Sequence, residues 1–190
     1  MPEPLCFITG NAYKLREVQR VLPEVQGWDF DLPEIQHTDA RRVIEAKLLE
    51  AARLSQHPRL LVEDTSLYLD AFHGLPGPLT KWFIQPDSLG LEDLAQLALK
   101  RGQSGAQATT WLGLLERQAN GIQLRFFSGT VPGEVVLPQG SGGFGWDPIF
   151  RPQGASQTFA QMDASTKQRH SMRSLALQAL QSALQAEAQS

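Results

Sequence analysis

The chain has 190 residues, 42% of them hydrophobic and 19% charged, with a net charge of −3. That length suits one sizeable domain, and the charge balance favours neither a nucleic-acid backbone nor an anionic membrane as partner. No run approaches the roughly 20 apolar residues that span a bilayer, and no charged N-terminal segment leads into a long apolar stretch, so the expectation is a cytoplasmic protein without a signal peptide.

Leu5 to Thr9 reads as a short buried strand containing the single cysteine, Cys6, which has no partner for an intramolecular disulfide and is expected in the core. Gly10-Asn11 breaks the strand. Leu15, Val18 and Leu22 then recur at helical spacing until Pro23. Trp28 to Leu32 alternates apolar and acidic residues and is predicted as a second strand. Asp39 is placed to cap a helix through about Ser55, with Val43, Ile44, Leu48, Ala51, Ala52 and Leu54 on its apolar side.

Leu60-Leu61-Val62 is the next strand and ends abruptly in Glu63-Asp64-Thr65-Ser66. A Gly/Pro loop, Gly74-Leu75-Pro76-Gly77-Pro78, leads to Lys81-Trp82-Phe83, and Leu91 to Leu99 is a short amphipathic helix ended by Gly102. Ala106–Leu115 and Ile122–Val136 read as longer antiparallel strands joined at Asn120-Gly121, a strong hairpin signal. Gly140 to Gly143 is a candidate hinge or lid. Ser165 to Ala188 is predicted as one helix, capped by Ser165 or Thr166, with Leu175, Ala176, Ala179, Leu180, Ala183 and Leu184 as its apolar stripe. Helices alternating with strands, followed by paired strands, argue for an α/β domain around a mixed sheet.

An apolar strand that ends in carboxylates delivers acidic groups to an edge, where they can hold a cation. Mg²⁺ takes hard oxygen ligands and keeps several waters, so one or two carboxylates plus substrate phosphates suffice; Glu34, Glu63 and Asp64 are the candidates. Thr9-Gly10-Asn11-Ala12-Tyr13-Lys14 sits where a strand gives way to a helix, a place where backbone N–H groups and Lys14 can meet an anion. It is not a Walker A loop, and by itself it is equally an ordinary helix start with a solvated lysine. Lys47, alone on its helix, reads as a surface lysine. Lys81 stands beside two rings. Phe144-Gly145-Trp146-Asp147-Pro148-Ile149-Phe150 is either a core plug or a ring and acid that border a base. Lys167, Arg169, His170 and Arg173 either form a solvated face or rim an anionic pocket, and Met172 falls in the apolar stripe as a packing residue.

Thr9-Gly10-Asn11 with Lys14 and Glu17, Asp31-Leu32-Pro33-Glu34, Val62–Ser66, Gly74–Pro78, Lys81-Trp82-Phe83, Phe144–Pro148, Gln157-Thr158-Phe159-Ala160 and Lys167 follow one another in an order that resembles the inosine triphosphate pyrophosphatase family. The resemblance spans nearly the whole chain, and its Val62–Phe83 and Phe144–Phe150 blocks are highly specific. It implies a single two-lobed α/β domain over residues 1–190 with a long mixed sheet flanked by helices, an architecture akin to anticodon-binding and Maf-like domains. It also implies a homodimer and a Mg²⁺-dependent enzyme that cleaves ITP, dITP or XTP to the monophosphate and pyrophosphate. By position, Glu34 and Asp64 would bind metal, with Asp64 also activating the attacking water. Thr9, Asn11, Lys14, Lys47 and Lys81 would meet phosphate, and Ser66, Phe144, Trp146, Asp147, Lys167, Ser171 and Arg173 would meet the base or substrate.

One position departs from the family pattern: Ser171-Met172-Arg173 stands where the family has Ser-His-Arg. Methionine offers no ring nitrogen to a base, so altered base selectivity is the expected consequence. Two other readings compete. A Maf-like pyrophosphatase would open with a Ser/Arg-rich loop instead of Thr9-Gly10-Asn11. A catalytically silent nucleotide-binding protein has little need for a metal-linked acid such as Asp64.

Overall fold

The computed structural model describes residues 4–188. Its strands form one seven-stranded mixed sheet in the order β2-β1-β3-β5-β6-β7, with β4 paired to β3. The chain divides into two compact units. The first holds residues up to Asp64, Thr110–Gly129 and those from Leu175 on; the second holds Thr65–Thr109 and Thr130–Ser174. Among the described residues no helix is long and apolar enough to cross a membrane.

In the first unit, β1 (Cys6–Ile8) lies between β2 (Gln26–Trp28) and the start of β3 (Arg59–Leu69), parallel to both. A strand flanked by parallel neighbours is buried on both faces, which explains the unbroken apolar run. Cys6 is free and buried there, and burial pushes its thiol up. Helix α1 (Ala12–Val21) is capped by Asn11, and α2 (Ala40–Leu54) by Asp39, as the sequence indicates. Each such cap is worth about 1 kcal/mol.

The two faces of this part of the sheet carry separate cores. Leu61 packs with Phe7, Val18, Leu112 and the α6 residues Ala176, Leu177 and Leu180. Leu60 and Val62 pack with Ile8, Leu32 and the α2 residues Ile44, Leu48 and Ala51.

The second strand differs from the Trp28–Leu32 expectation. It ends at Trp28 because its partner ends: Ile8 pairs with Trp28, the Thr9 N–H reaches Trp28 O, and Gly10-Asn11 then turns away to start α1. Phe30 lies outside the ladder and stacks on Trp28, ring centroids 5.0 Å apart.

In the second unit, β3 continues to Leu69 and pairs antiparallel with β4 (Pro76–Gly77), entered through a cis Leu75–Pro76 bond. The short helix α3 (Thr80–Phe83) carries Lys81, and α4 (Gly90–Lys100) packs Leu94, Ala95 and Ala98 into a core with Leu67, Leu69, Trp146, Ile149, Phe150 and Phe159. Strands β5 (Gly105–Gln118) and β6 (Gly121–Val135) are sheet neighbours joined through Asn120, and β7 (Phe150–Pro152) pairs antiparallel with the end of β6.

The closing segment is two helices, not one. Helix α5 (Ala164–Arg169) is capped by Asp163, whose carboxylate accepts the Thr166 N–H; that bond and the Ser165 hydroxyl hold it below the usual carboxylate range. Helix α6 (Met172–Ala188) restarts after Ser171, whose Oγ accepts the Arg173 and Ser174 N–H groups. The break rotates the stripe. Ala176, Leu177 and Leu180 are buried, whereas Leu175 and Ala179 are exposed.

Candidate active site

The carboxylates and lysines singled out in the first unit cluster around the end of β3. Lys14 Nζ, from the first turn of α1, lies 3.2 Å from Glu63 Oε1. Lys47 Nζ, from α2, lies 2.5 Å from Glu34 Oε1 and donates to the Glu63 carbonyl at 3.2 Å. Asp64 is raised above the ordinary aspartate range, first by burial and then by the neighbouring charges of Glu34 and Glu63, against the opposing pull of Lys14 and Lys47. Five chain-distant charged groups thus share one electrostatic neighbourhood.

Two expectations are corrected here. Lys47 is not a surface lysine: it is buried, reached through the aliphatic stem that α2 turns toward the sheet. The helix start after Gly10 also differs from an open anion cradle. Asn11 Oδ1 already accepts the Tyr13 and Lys14 N–H groups, and Thr9 Oγ1 accepts that of Asn11. Any anion held at this turn is met by the Lys14 ammonium and not by those amides. Glu63 was legible as one of two adjacent acids, but its partner Lys14 was not, because 49 positions of chain separate them.

Glu34 and Asp64 fit a hard divalent cation. Both offer carboxylate oxygen, Glu34 is exposed and Asp64 half-buried. Among the described residues no set of three or more His, Cys, Asp and Glu side chains forms a cage for a metal ion. Two carboxylates completed by water and substrate phosphate is the arrangement Mg²⁺ commonly takes.

The second unit gathers the aromatic residues. Asp147, in the short turn Asp147–Ile149, is buried; its Oδ2 accepts the Phe144 N–H at 2.8 Å and faces Lys167 Nζ at 2.6 Å. The Lys167 ammonium lies 4.9 Å from the Phe144 ring centroid and the Arg173 guanidinium 5.7 Å from it, so two cations attend one half-buried ring. Trp146 packs edge-on to Phe150 and tilts against Phe159. The block is therefore both of the things its composition allowed: Trp146 and Phe150 plug the core, and Phe144 and Asp147 organise cations.

The remaining residues are placed less simply. Ser66 is fully buried in β3, Ser171 caps α6, and Lys81 is exposed with its ammonium 5.6 Å from the Trp82 ring. Met172 is a packing residue, 3% exposed, in the core with Trp146, Phe150 and Phe159. Arg173 is also buried. The glycine loop at 140–143 is strapped down: the Gly142 N–H donates to Ala160 O, and the Thr158 hydroxyl donates to Gln139 O.

Comparison with known proteins follows the same residues. Residues 5–183 match the Ham1 family. The chain is 38% identical over 188 residues to an inosine triphosphate pyrophosphatase of Schizosaccharomyces pombe, covering 97% of each chain. It is 42% identical over 178 residues to one of Fusarium vanettenii, covering 92% of each. A HAM1 protein structure from Coxiella burnetii superimposes with a TM-score of 0.81 at 23% identity, covering 97% of this chain and 99% of the other, a likeness of fold.

Proposed function

The chain belongs to the Ham1 family, and we propose on that premise that the acids and lysines at the end of β3 are the phosphate and cation end of its active site. It is a hydrolase of phosphoric anhydrides that cleaves non-standard purine nucleoside triphosphates, such as ITP, dITP and XTP, to the monophosphate and pyrophosphate. A silent nucleotide-binding protein is not favoured, since the relatives it matches at 38–42% identity carry a pyrophosphatase name.

The observation that carries the residue assignment is the convergence of Glu34, Lys14, Lys47 and Glu63 on Asp64. Hydrolysis drives an oxygen nucleophile toward a highly negative phosphate. Lys14 and Lys47 reduce that repulsion and stabilise charge on the leaving pyrophosphate. Asp64 orients the attacking water and takes its proton; a carboxylate raised by burial is a stronger base than an ordinary one. Mg²⁺, held by Glu34 and Asp64, supplies neutralisation of the triphosphate.

Lys167, Arg173 and Phe144 recognise the base, with Asp147 holding Lys167. A six-keto purine accepts hydrogen bonds where adenine donates them. Donors such as Lys167 and Arg173 leave an adenine amino group unpaired, at about 1–3 kcal/mol for each unmet group. Met172 contributes packing to this region and no polar contact. The reading includes a homodimer and a cytoplasmic location, the latter in keeping with a free, buried Cys6.

Pyrophosphate release from ITP, XTP and ATP, with Mg²⁺ and with a chelator, tests the reading. ITP and XTP are expected to exceed ATP in kcat/KM by about 100-fold or more, with all activity lost on chelation. Equal values for ITP and ATP would reject the assigned base donors, and turnover that survives the chelator would reject the cation.

A further inference from the structure

Glu63 and Asp64 are adjacent acids at the end of one strand, and adjacent strand residues point to opposite faces of a sheet. The packing of the preceding residues identifies those faces. Leu61, two before Glu63, lies in the core shared with α1 and α6, whereas Val62, two before Asp64, lies in the core shared with α2. Glu63 accordingly turns its side chain toward α1, where it meets Lys14; Asp64 turns toward α2, the helix whose Lys47 holds Glu34. Exposure divides the acids in the same way. The Glu63 side chain is 1% exposed and that of Glu34 39%. A cation that keeps several waters has room at Glu34 and none at Glu63.

We infer that Glu63 is not a cation ligand but the fixed counter-charge of the phosphate-binding lysines: its carboxylate anchors Lys14, its carbonyl anchors Lys47, and its negative charge limits how tightly they take an anion. The inference rests on the proposed function only for the identity of that anion as phosphate. Its physical basis is Coulombic. An anion arriving at Lys14 also approaches the buried Glu63 charge, and at an effective dielectric of about 20 that repulsion is large enough to change affinity severalfold. Such a device keeps the lysines placed before substrate arrives, yet lets pyrophosphate leave.

The role predicts effects of opposite sign to those of a ligand. Glu63→Gln keeps an oxygen to accept from Lys14 and removes the charge. Binding of inorganic pyrophosphate, measured by calorimetry with a chelator present, is expected to tighten about three- to tenfold. Lys14→Met is expected to weaken it. Mn²⁺ binding to the nucleotide-free protein, followed by electron paramagnetic resonance, is expected to change by less than about fivefold in Glu63→Gln and by more than about tenfold in Glu34→Gln. Thermal unfolding adds a readout independent of binding: Lys14→Met strands the Glu63 charge, so it should melt lower than the double variant Lys14→Met/Glu63→Gln.

Mn²⁺ affinity that falls as far in Glu63→Gln as in Glu34→Gln would make Glu63 a ligand and overturn the inference. Weaker pyrophosphate binding by a folded Glu63→Gln would overturn it as well. Neither measurement depends on which nucleotide is hydrolysed, so failure of the parent to cleave ITP would refute the proposed substrate and leave this result standing.

Discussion

Each unit buries a carboxylate beneath a lysine, Glu63 under Lys14 in the first and Asp147 under Lys167 in the second. The first pair joins a strand to a helix across 49 positions and is held by two hydrophobic cores, one on each face of the sheet. The second is held by a tight loop. Asp147 accepts the N–H of Phe144, three residues before it, and Gly143 stands so close that an added Cβ would meet Asp147 Oδ2 at 2.1 Å. The surroundings differ as well. Around Glu63 the neighbours are further charges; around Lys167 they are rings, Phe144 and Phe159. One chemical device thus serves two purposes: among charges it prepares lysines for phosphate, and among rings it orients a donor for a planar group.

The largest effect that tests this division is expected at Asp64. Asp64→Asn should lower kcat by about 10²–10⁴-fold, the usual contribution of a positioned base, while KM for ITP moves little. Pyrophosphate release at saturating ITP measures it, and activity within a few-fold of the parent would remove Asp64 from the chemistry. Because burial raises its carboxyl, the acid limb of the parent's kcat should lie at higher pH than an ordinary aspartate would give.

On the ring side, Lys167→Met is best made together with Asp147→Asn, so that no buried charge is left unpaired. The double variant should lose about 10- to 100-fold in kcat/KM for ITP. Its affinity for inorganic pyrophosphate should match the parent's. If pyrophosphate binding falls equally, Lys167 is a phosphate residue and the contrast between the units is wrong.

These residues were not equally legible in the sequence. The caps Asn11 and Asp39, the hairpin at Asn120-Gly121 and the buried β1 follow from local rules, since each depends on neighbours a few positions away. The end of β2 does not, because the length of β1 decides it. The break between α5 and α6 was hidden for a related reason. Ser165 and Thr166 are good capping residues, but Asp163 takes that role, and Ser171 then caps a second helix within the same polar run. In the site, residue types and order pointed to the right chemistry, while the pairings did not show. Lys47 reads as a surface residue until the fold turns α2 against β3, and Met172 reads as core because methionine on an apolar stripe has little else to do.

A smaller effect examines the loop side of the comparison. Gly143 has φ +74, a conformation open to glycine but strained for alanine, and the added methyl would displace the Asp147 carboxylate. Gly143→Ala should destabilise the protein by about 1–3 kcal/mol, read from chemical unfolding. It should also raise KM for ITP by loosening Lys167. A variant as stable as the parent would show that the loop, and not Gly143, sets this geometry.

The smallest effect is the most specific to the charged cluster. Asp64 has a folded-state carboxyl raised above its ordinary value, mainly by burial. Such a group binds its proton more tightly in the folded state. Its stabilising contribution is therefore complete below the ordinary aspartate pKa and is lost as pH rises through the raised value. At neutral pH without metal, the ionised Asp64 weakens the fold, and Asp64→Asn should melt at a higher temperature than the parent. The gap should close as pH falls below the ordinary aspartate range, and it should shrink at neutral pH when Mg²⁺ is added, because a bound cation stabilises the parent and not the variant. Melting curves that coincide at neutral pH in chelator would mean that Lys14 and Lys47 already offset the cost of burying Asp64. The acid would then be an ordinary partner in an ion-pair network and not a base held ready by its surroundings.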